Sequence, residues 1–97
     1  MTERMRRIYR VVTTTRFDKE LAKALKRGLR IEDFNKVAGM LKEDIPLPPK
    51  YRDHPLKGDR KGYRECHINP DWLLVYRKDK DELILLLAHT GTHSDLF

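Results

Sequence analysis

Residues 83–89, LILLLAH, decide the fold of this 97-residue chain. Six apolar residues in succession predict a strand that is buried on both faces, as is typical of the interior of a sheet. Two further β-type segments precede it, YRECHI at about 63–68 and WLLVYR at about 72–77, each followed by a short polar turn. These three segments predict a three-stranded antiparallel meander.

The amino-terminal half predicts one more strand and two helices. RRIYRVV, residues 6–12, is rich in β-forming residues. An amphipathic helix follows, capped by Thr14 or Thr15 and ended by Gly28, and a second helix covers about 31–43. We therefore expect one α+β domain over residues 1–97, with a helical hairpin packed on one face of the sheet.

The segment between the helices and the meander predicts a functional loop. Residues 44–62, DIPLPPKYRDHPLKGDRKG, contain four prolines and many lysines and arginines. The whole chain has a net charge of +6, which favours an anionic partner such as nucleic acid or an acidic protein. A single cysteine, Cys66, excludes an internal disulfide and a Cys-based metal knuckle, and we expect it in the core.

Nothing in the sequence predicts a membrane protein. The start of the chain lacks a long apolar stretch, and LILLLA is far shorter than the ~20 residues that span a bilayer. We therefore expect a soluble, cytoplasmic protein with no membrane partner.

The four histidines indicate the chemistry of the site, and all of them lie in the second half of the chain. They are His54, His67, His89 and His93. Imidazoles that flank a phosphodiester can act as general base and general acid, and clustered cations can stabilise the transition state. Cleavage of RNA through attack by its own 2′-OH needs few other groups.

Alternatives remain open for several of these residues. His89 and His93 have the i, i+4 spacing of metal ligands on a helix, but Thr90, Gly91 and Thr92 disfavour a helix there. Asp71 either caps a turn or orients an imidazole. The aromatic residues also have two readings each, because Trp72 and Phe97 could pack against the sheet or stack on a nucleobase.

Three separated motifs carry a resemblance to a known family. PLPPKYRDHPLKG, KGYRECHINPDWLLVYR and TGTHSDLF occur in order within about residues 46–97. They resemble the bacterial YafQ-type toxins of the RelE/ParE superfamily. The resemblance implies a RelE-like fold and a ribosome-dependent endoribonuclease that cuts mRNA in the A site, without metal or cofactor, through a 2′,3′-cyclic phosphate.

The resemblance also implies partners for the chain. An antitoxin, acidic and of the ribbon-helix-helix type, is expected to hold the toxin inactive. Operator DNA is then bound only through the toxin–antitoxin complex, while the ribosome and mRNA are the targets.

Site residues follow from the same motifs. The resemblance assigns catalysis to His54, His67, Asp71 and His93, with His93 as the general acid and His54 or His67 as base or phosphate ligand. This sequence departs from the family motif at His89, where the family has an arginine. Stabilisation of the transition state is then expected to be weaker or to be supplied by other cations. The residues expected to bind substrate are Lys50, Lys57, Arg64, Trp72, His89 and Phe97.

Two other functions compete with the nuclease. One is a non-enzymatic toxin of the same superfamily that acts on a protein target such as DNA gyrase, for which the histidines have no use. The other is a binding module for RNA or an acidic protein, with nuclease activity disabled by His89.

Overall fold

A five-stranded sheet forms the centre of the computed structural model, which describes residues 7–96. Its strands lie in the order β1-β5-β4-β3-β2, with β1 parallel to β5 and all other pairs antiparallel. The strands are β1 Arg10–Thr13, β2 His54–Pro55, β3 Arg64–Asn69, β4 Trp72–Asp79 and β5 Ile84–Gly91. The helices are α1 Thr15–Lys26, α2 Ile31–Lys42 and α3 His93–Leu96.

The predicted meander is confirmed, and β5 lies inside the sheet because it pairs with β1 on one side and β4 on the other. The predicted first strand is shorter than expected and begins at Arg10, while residue 6 lies outside the described residues. Strand β2 was not predicted. It has only two residues, one of them Pro55, which a sheet tolerates at an edge.

Helix α1 has the predicted N-cap, Thr14, and Gly28 directly follows its C-cap, Arg27. The Thr14 hydroxyl accepts a hydrogen bond from the Phe17 amide at 2.9 Å and donates one to the Ala88 carbonyl at 2.9 Å. At the other end, Gly28 has a φ of 94°, a conformation that glycine adopts without strain. The cap therefore starts the helix and also fixes it to β5.

The sheet has two different faces, because successive strand side chains point in opposite directions. One face, the helix face, carries Trp72, Leu74 and Tyr76 of β4 in the main core with α1 and α2. The opposite face, the open face, carries Leu73 and Val75 in a small hydrophobic cluster. The other members of this cluster come mainly from short segments and are Leu56, Tyr63, Ala88 and Leu96. Within residues 7–96, no helix is long and apolar enough to cross a membrane.

Candidate active site

His67 and His93 come together at the end of the open face. The centroids of their rings are 5.9 Å apart, and the rings are inclined by 54°. His67 lies opposite Leu73 in the sheet, which places it on the open face, and a β-bulge directly follows it. His93 is the first residue of α3, whose Leu96 is buried in the open-face cluster. The two imidazoles are therefore held by a strand and by a docked turn.

A tether fixes the turn that carries His93. Asp95 Oδ2 accepts a hydrogen bond from the Thr92 amide at 3.1 Å and another at 2.8 Å from Nη1 of Arg27, the C-cap of α1. These donors, Thr92 first, lower the pKa of Asp95 to about 2. Because the pKa is lowered, the tether is fully present above the ordinary pKa of 3.8 and is lost only as the pH falls towards 2.

His54 lies on the same face but has a different partner. It pairs with Glu65 across β2 and β3, and its Nε2 is 3.4 Å from Glu65 Oε1. Its Nδ1 lies 2.7 Å from the Arg52 carbonyl oxygen. Glu65 neighbours Val75 in the sheet, and His67 follows two residues later on the same side of β3. The three predicted imidazoles thus share one face, with Glu65 against His54.

Arg64 does not fit the predicted phosphate contact. It pairs with Tyr76 in the sheet, so it lies on the helix face, away from Glu65 and His67. Its guanidinium contacts Asp53 through two hydrogen bonds of 3.2 and 3.3 Å, and Tyr76 donates to the same carboxylate at 2.6 Å. Burial, helped by this bond to Asp53, raises the pKa of Tyr76. Arg64 therefore anchors the loop that precedes His54.

Cations surround the histidines on two sides. A groove of about 370 Å³ next to His67 is lined by Lys50 and by Lys36 and Asp33 of α2. On the other side, Arg60 Nη2 donates to the Leu96 carbonyl at 3.3 Å and so connects the basic loop to α3. Lys57 is exposed in the same loop, and its contact with substrate stays a prediction.

Trp72 cannot stack on a base in this structure, because its side chain is fully buried. Its ring lies 6.4 Å from Phe34, and its Nε1 donates to the Thr90 hydroxyl at 2.8 Å. We therefore assign Trp72 to the core. The other predicted aromatic contact, Phe97, lies outside the described residues.

Asp71 lies exposed in the turn between β3 and β4. Its amide donates to Asn69 Oδ1 at 2.9 Å, as in a capped turn. In the part of the chain that the structure describes, no ion pair joins its carboxylate to His54, His67 or His89. The side chain that caps this turn is therefore that of Asn69, and the catalytic role of Asp71 stays a prediction.

His89 faces an acidic residue. Its Nδ1 is 3.4 Å from Glu20 Oε1 of α1, and this same oxygen accepts a hydrogen bond from the Thr90 amide at 3.3 Å. The segment from His89 to Gly91 is strand, so His89 and His93 do not share a helix face. A phosphate contact by His89 stays a prediction.

Metal-ligating side chains do not cluster in threes among the described residues. Among residues 7–96, no group of three His, Cys, Asp or Glu side chains could hold a metal ion. Cys66 lies in the core, as expected, and burial raises the pKa of its thiol.

Sequence patterns gave no signal for several of these residues. A glutamate within a strand is normally exposed, so the burial of Glu65 follows only from the register with His54. Arg27 and Asp95 are 68 positions apart in sequence. Only the packing of α1 beside the last turn connects them.

The comparison with known proteins decides the family. Residues 9–97 match the family described as the bacterial toxin of the type II toxin–antitoxin system, YafQ. The chain belongs to the YafQ toxin family. It is 41% identical over 86 residues to the mRNA interferase toxin YafQ of Escherichia coli K12, covering 84% of this chain and 87% of that protein.

Solved structures of related bacterial toxins have the same fold. The crystal structure of a metal-bound toxin from Helicobacter pylori is 47% identical, with a TM-score of 0.87, covering 93% of this chain and 100% of that chain. The toxin in the E. coli DinJ-YafQ toxin–antitoxin complex is 34% identical, with a TM-score of 0.84, covering 92% and 97% of the two chains. The predicted RelE-like α+β fold is therefore confirmed.

Proposed function

We propose that this chain is an mRNA interferase, an endoribonuclease that cleaves mRNA in the ribosomal A site and thereby inhibits translation. Its relation to the E. coli mRNA interferase supports the activity. The observation that carries the proposal is the pairing of His67 and His93 on the open face, with ring centroids 5.9 Å apart. Two imidazoles at this separation can reach opposite sides of one phosphodiester.

The reaction needs two proton transfers. An imidazole of the sheet, His67 or His54, accepts the proton of the 2′-OH, whose oxygen then attacks the adjacent phosphorus. His93 donates a proton to the 5′-oxygen as the bond from phosphorus to that oxygen breaks. The products are a 2′,3′-cyclic phosphate on one fragment and a 5′-hydroxyl on the other.

Cations of the basic loop and of α2 would hold the charged phosphate during the attack. Lys50 and Lys36 line the groove beside His67, and Arg60 lies at the carboxyl end of α3. Trp72 and Arg64 are left out of this set because both lie on the helix face.

The net charge of +6 also suits the proposed partners. These are the ribosome with its mRNA and a cognate antitoxin, acidic and of the ribbon-helix-helix type. The DinJ-YafQ toxin–antitoxin complex of E. coli supports an antitoxin as partner. Operator DNA would be bound through that complex, and the protein would act in the cytoplasm.

The chemical ends of the cleaved mRNA test this mechanism. Purified toxin added to an in vitro translation reaction should yield fragments with 2′,3′-cyclic phosphate and 5′-hydroxyl ends. These ends follow from attack by the 2′-OH, whereas hydrolysis by an activated water leaves other ends. Fragments with 3′-hydroxyl and 5′-phosphate ends would contradict the mechanism, and gyrase poisoning with intact mRNA would contradict the enzyme class.

Loss of the Arg27 tether should slow cleavage although Arg27 is remote from the phosphate. In Arg27→Ala the turn that carries His93 loses its bond to α1, and misplacement of a catalytic group costs up to about 10²-fold. The rate constant kcat should fall with little change in KM, and Arg27→Lys should recover part of it. Arg30→Ala, an exposed arginine just beyond α1, serves as the control. An unchanged kcat in Arg27→Ala would show that the tether does not position His93.

A further inference from the structure

Glu65 is a buried carboxylate in the middle of the proposed site. The residue is only 4% exposed, yet it lies on the open face between the neighbouring strands β2 and β4. One carboxylate oxygen, Oε1, is 3.4 Å from His54 Nε2. The other oxygen, Oε2, is buried and has no hydrogen-bond partner among the described residues. A carboxylate so placed needs a positive neighbour, since an unpaired buried charge is costly.

His54 has a polar neighbour at each ring nitrogen. Its Nδ1 lies 2.7 Å from the Arg52 carbonyl oxygen, which can only accept, so Nδ1 carries a proton. A neutral ring would then direct the lone pair of Nε2 towards the Glu65 carboxylate. One more proton on Nε2 replaces this repulsion with an attraction between opposite charges. The Arg52 carbonyl thus fixes a proton on Nδ1, and the Glu65 carboxylate favours a second one on Nε2.

Asp53, the other carboxylate beside His54 in sequence, does not compete for this proton. It accepts two hydrogen bonds from the Arg64 guanidinium and one from the Tyr76 hydroxyl. Its charge is already balanced on the helix face, so the charge of His54 is paired with Glu65.

We propose that Glu65 is a positioning residue that holds His54 as an imidazolium cation, so that His54 neutralises phosphate charge while His67 is the general base. This proposal rests on the proposed function. It assigns the two imidazoles that the sequence leaves interchangeable. His67 suits the base because no carboxylate in residues 7–96 lies within ion-pair distance of it, and because its ring faces His93.

Glu65→Gln separates the charge of this partner from its shape. The glutamine amide can donate to Nε2, so His54 keeps its place and its bond to Arg52 but becomes neutral. We expect kcat for mRNA cleavage to fall about 10–100-fold, because the phosphate in the transition state loses one charged hydrogen-bond partner. Glu43→Gln, at an exposed position beyond α2, is the matched control and should leave kcat unchanged.

Nitrogen-15 NMR of the imidazoles at pH 7.5 gives a readout independent of cleavage. In the wild-type protein both ring nitrogens of His54 should bear a proton, and in Glu65→Gln only Nδ1 should. A neutral His54 ring in the wild-type protein would overturn the proposal, as would a Glu65→Gln variant whose His54 stays doubly protonated. Both results leave the proposed function standing.

The cleavage measurement gives a second result that would contradict the proposal. If Glu65→Gln abolished cleavage as fully as the loss of His93, Glu65 would itself be the base and not a positioning residue. If instead the wild-type protein did not cleave mRNA while His54 was an imidazolium, the pair would stand and the proposed function would be wrong. The two hypotheses are thus tested separately.

Discussion

Replacing His93 by alanine should lower the rate of mRNA cleavage by about 10²–10⁴-fold, the usual contribution of a general acid. The leaving 5′-oxygen is a poor leaving group without a proton, and His93 is the exposed imidazole that faces His67 at 5.9 Å. The measurement is the single-turnover rate of mRNA cleavage in a translation reaction. Ser94→Ala, the next position in the same exposed turn, should cleave like the wild-type protein.

Chemical rescue makes this prediction specific to proton transfer. Added imidazole should restore part of the activity of His93→Ala, because a diffusible acid can enter the space that the side chain leaves. The fold should be unaffected, since His93 is exposed and its helix is anchored by Leu96 and Asp95. Undiminished cleavage by the variant would remove His93 from the mechanism.

The central strands could be predicted from sequence because their pattern is unusually strong. LILLLAH is apolar at consecutive positions, and only an interior strand can bury both of its sides. The same unbroken apolar pattern does not show which face of the sheet each side chain occupies. Trp72, Leu73, Leu74 and Val75 are all apolar, so alternation cannot tell which of them face the helices. The sequence therefore left both readings of Trp72 open, and its burial supports the core reading.

Short elements and long-range pairs could not be predicted. Strand β2 has two residues, and α3 has four, which is too few for any periodicity to show. Yet these two elements position His54 and His93. The sequence predicted these histidines as site residues by type and by resemblance, whereas their neighbours, Glu65 and the Arg27–Asp95 tether, depend on register and packing.

Replacing Trp72 by alanine should destabilise the protein by about 3–5 kcal/mol, as expected for the removal of a buried aromatic side chain. Trp72 is fully buried against Phe34, and its indole donates to the Thr90 hydroxyl, which itself donates to the Leu73 carbonyl at 2.7 Å. The variant loses both the core volume and this link between β4 and β5. The free energy of unfolding, measured by urea denaturation with far-UV circular dichroism, gives the result.

Trp72→Leu distinguishes a core residue from a base-stacking one. Leucine keeps an apolar side chain in the cavity but has no aromatic ring, so a stacking role would be lost, at a cost of about 1–3 kcal/mol per base. We expect a less stable protein that, at temperatures where it is folded, cleaves mRNA with wild-type kcat and KM. A raised KM in a fully folded Trp72→Leu would mean that Trp72 leaves the core to meet RNA. Such a movement would have to break the bond to Thr90 and open the contact with Phe34, so it would also appear as a large destabilisation of β4 in the complex.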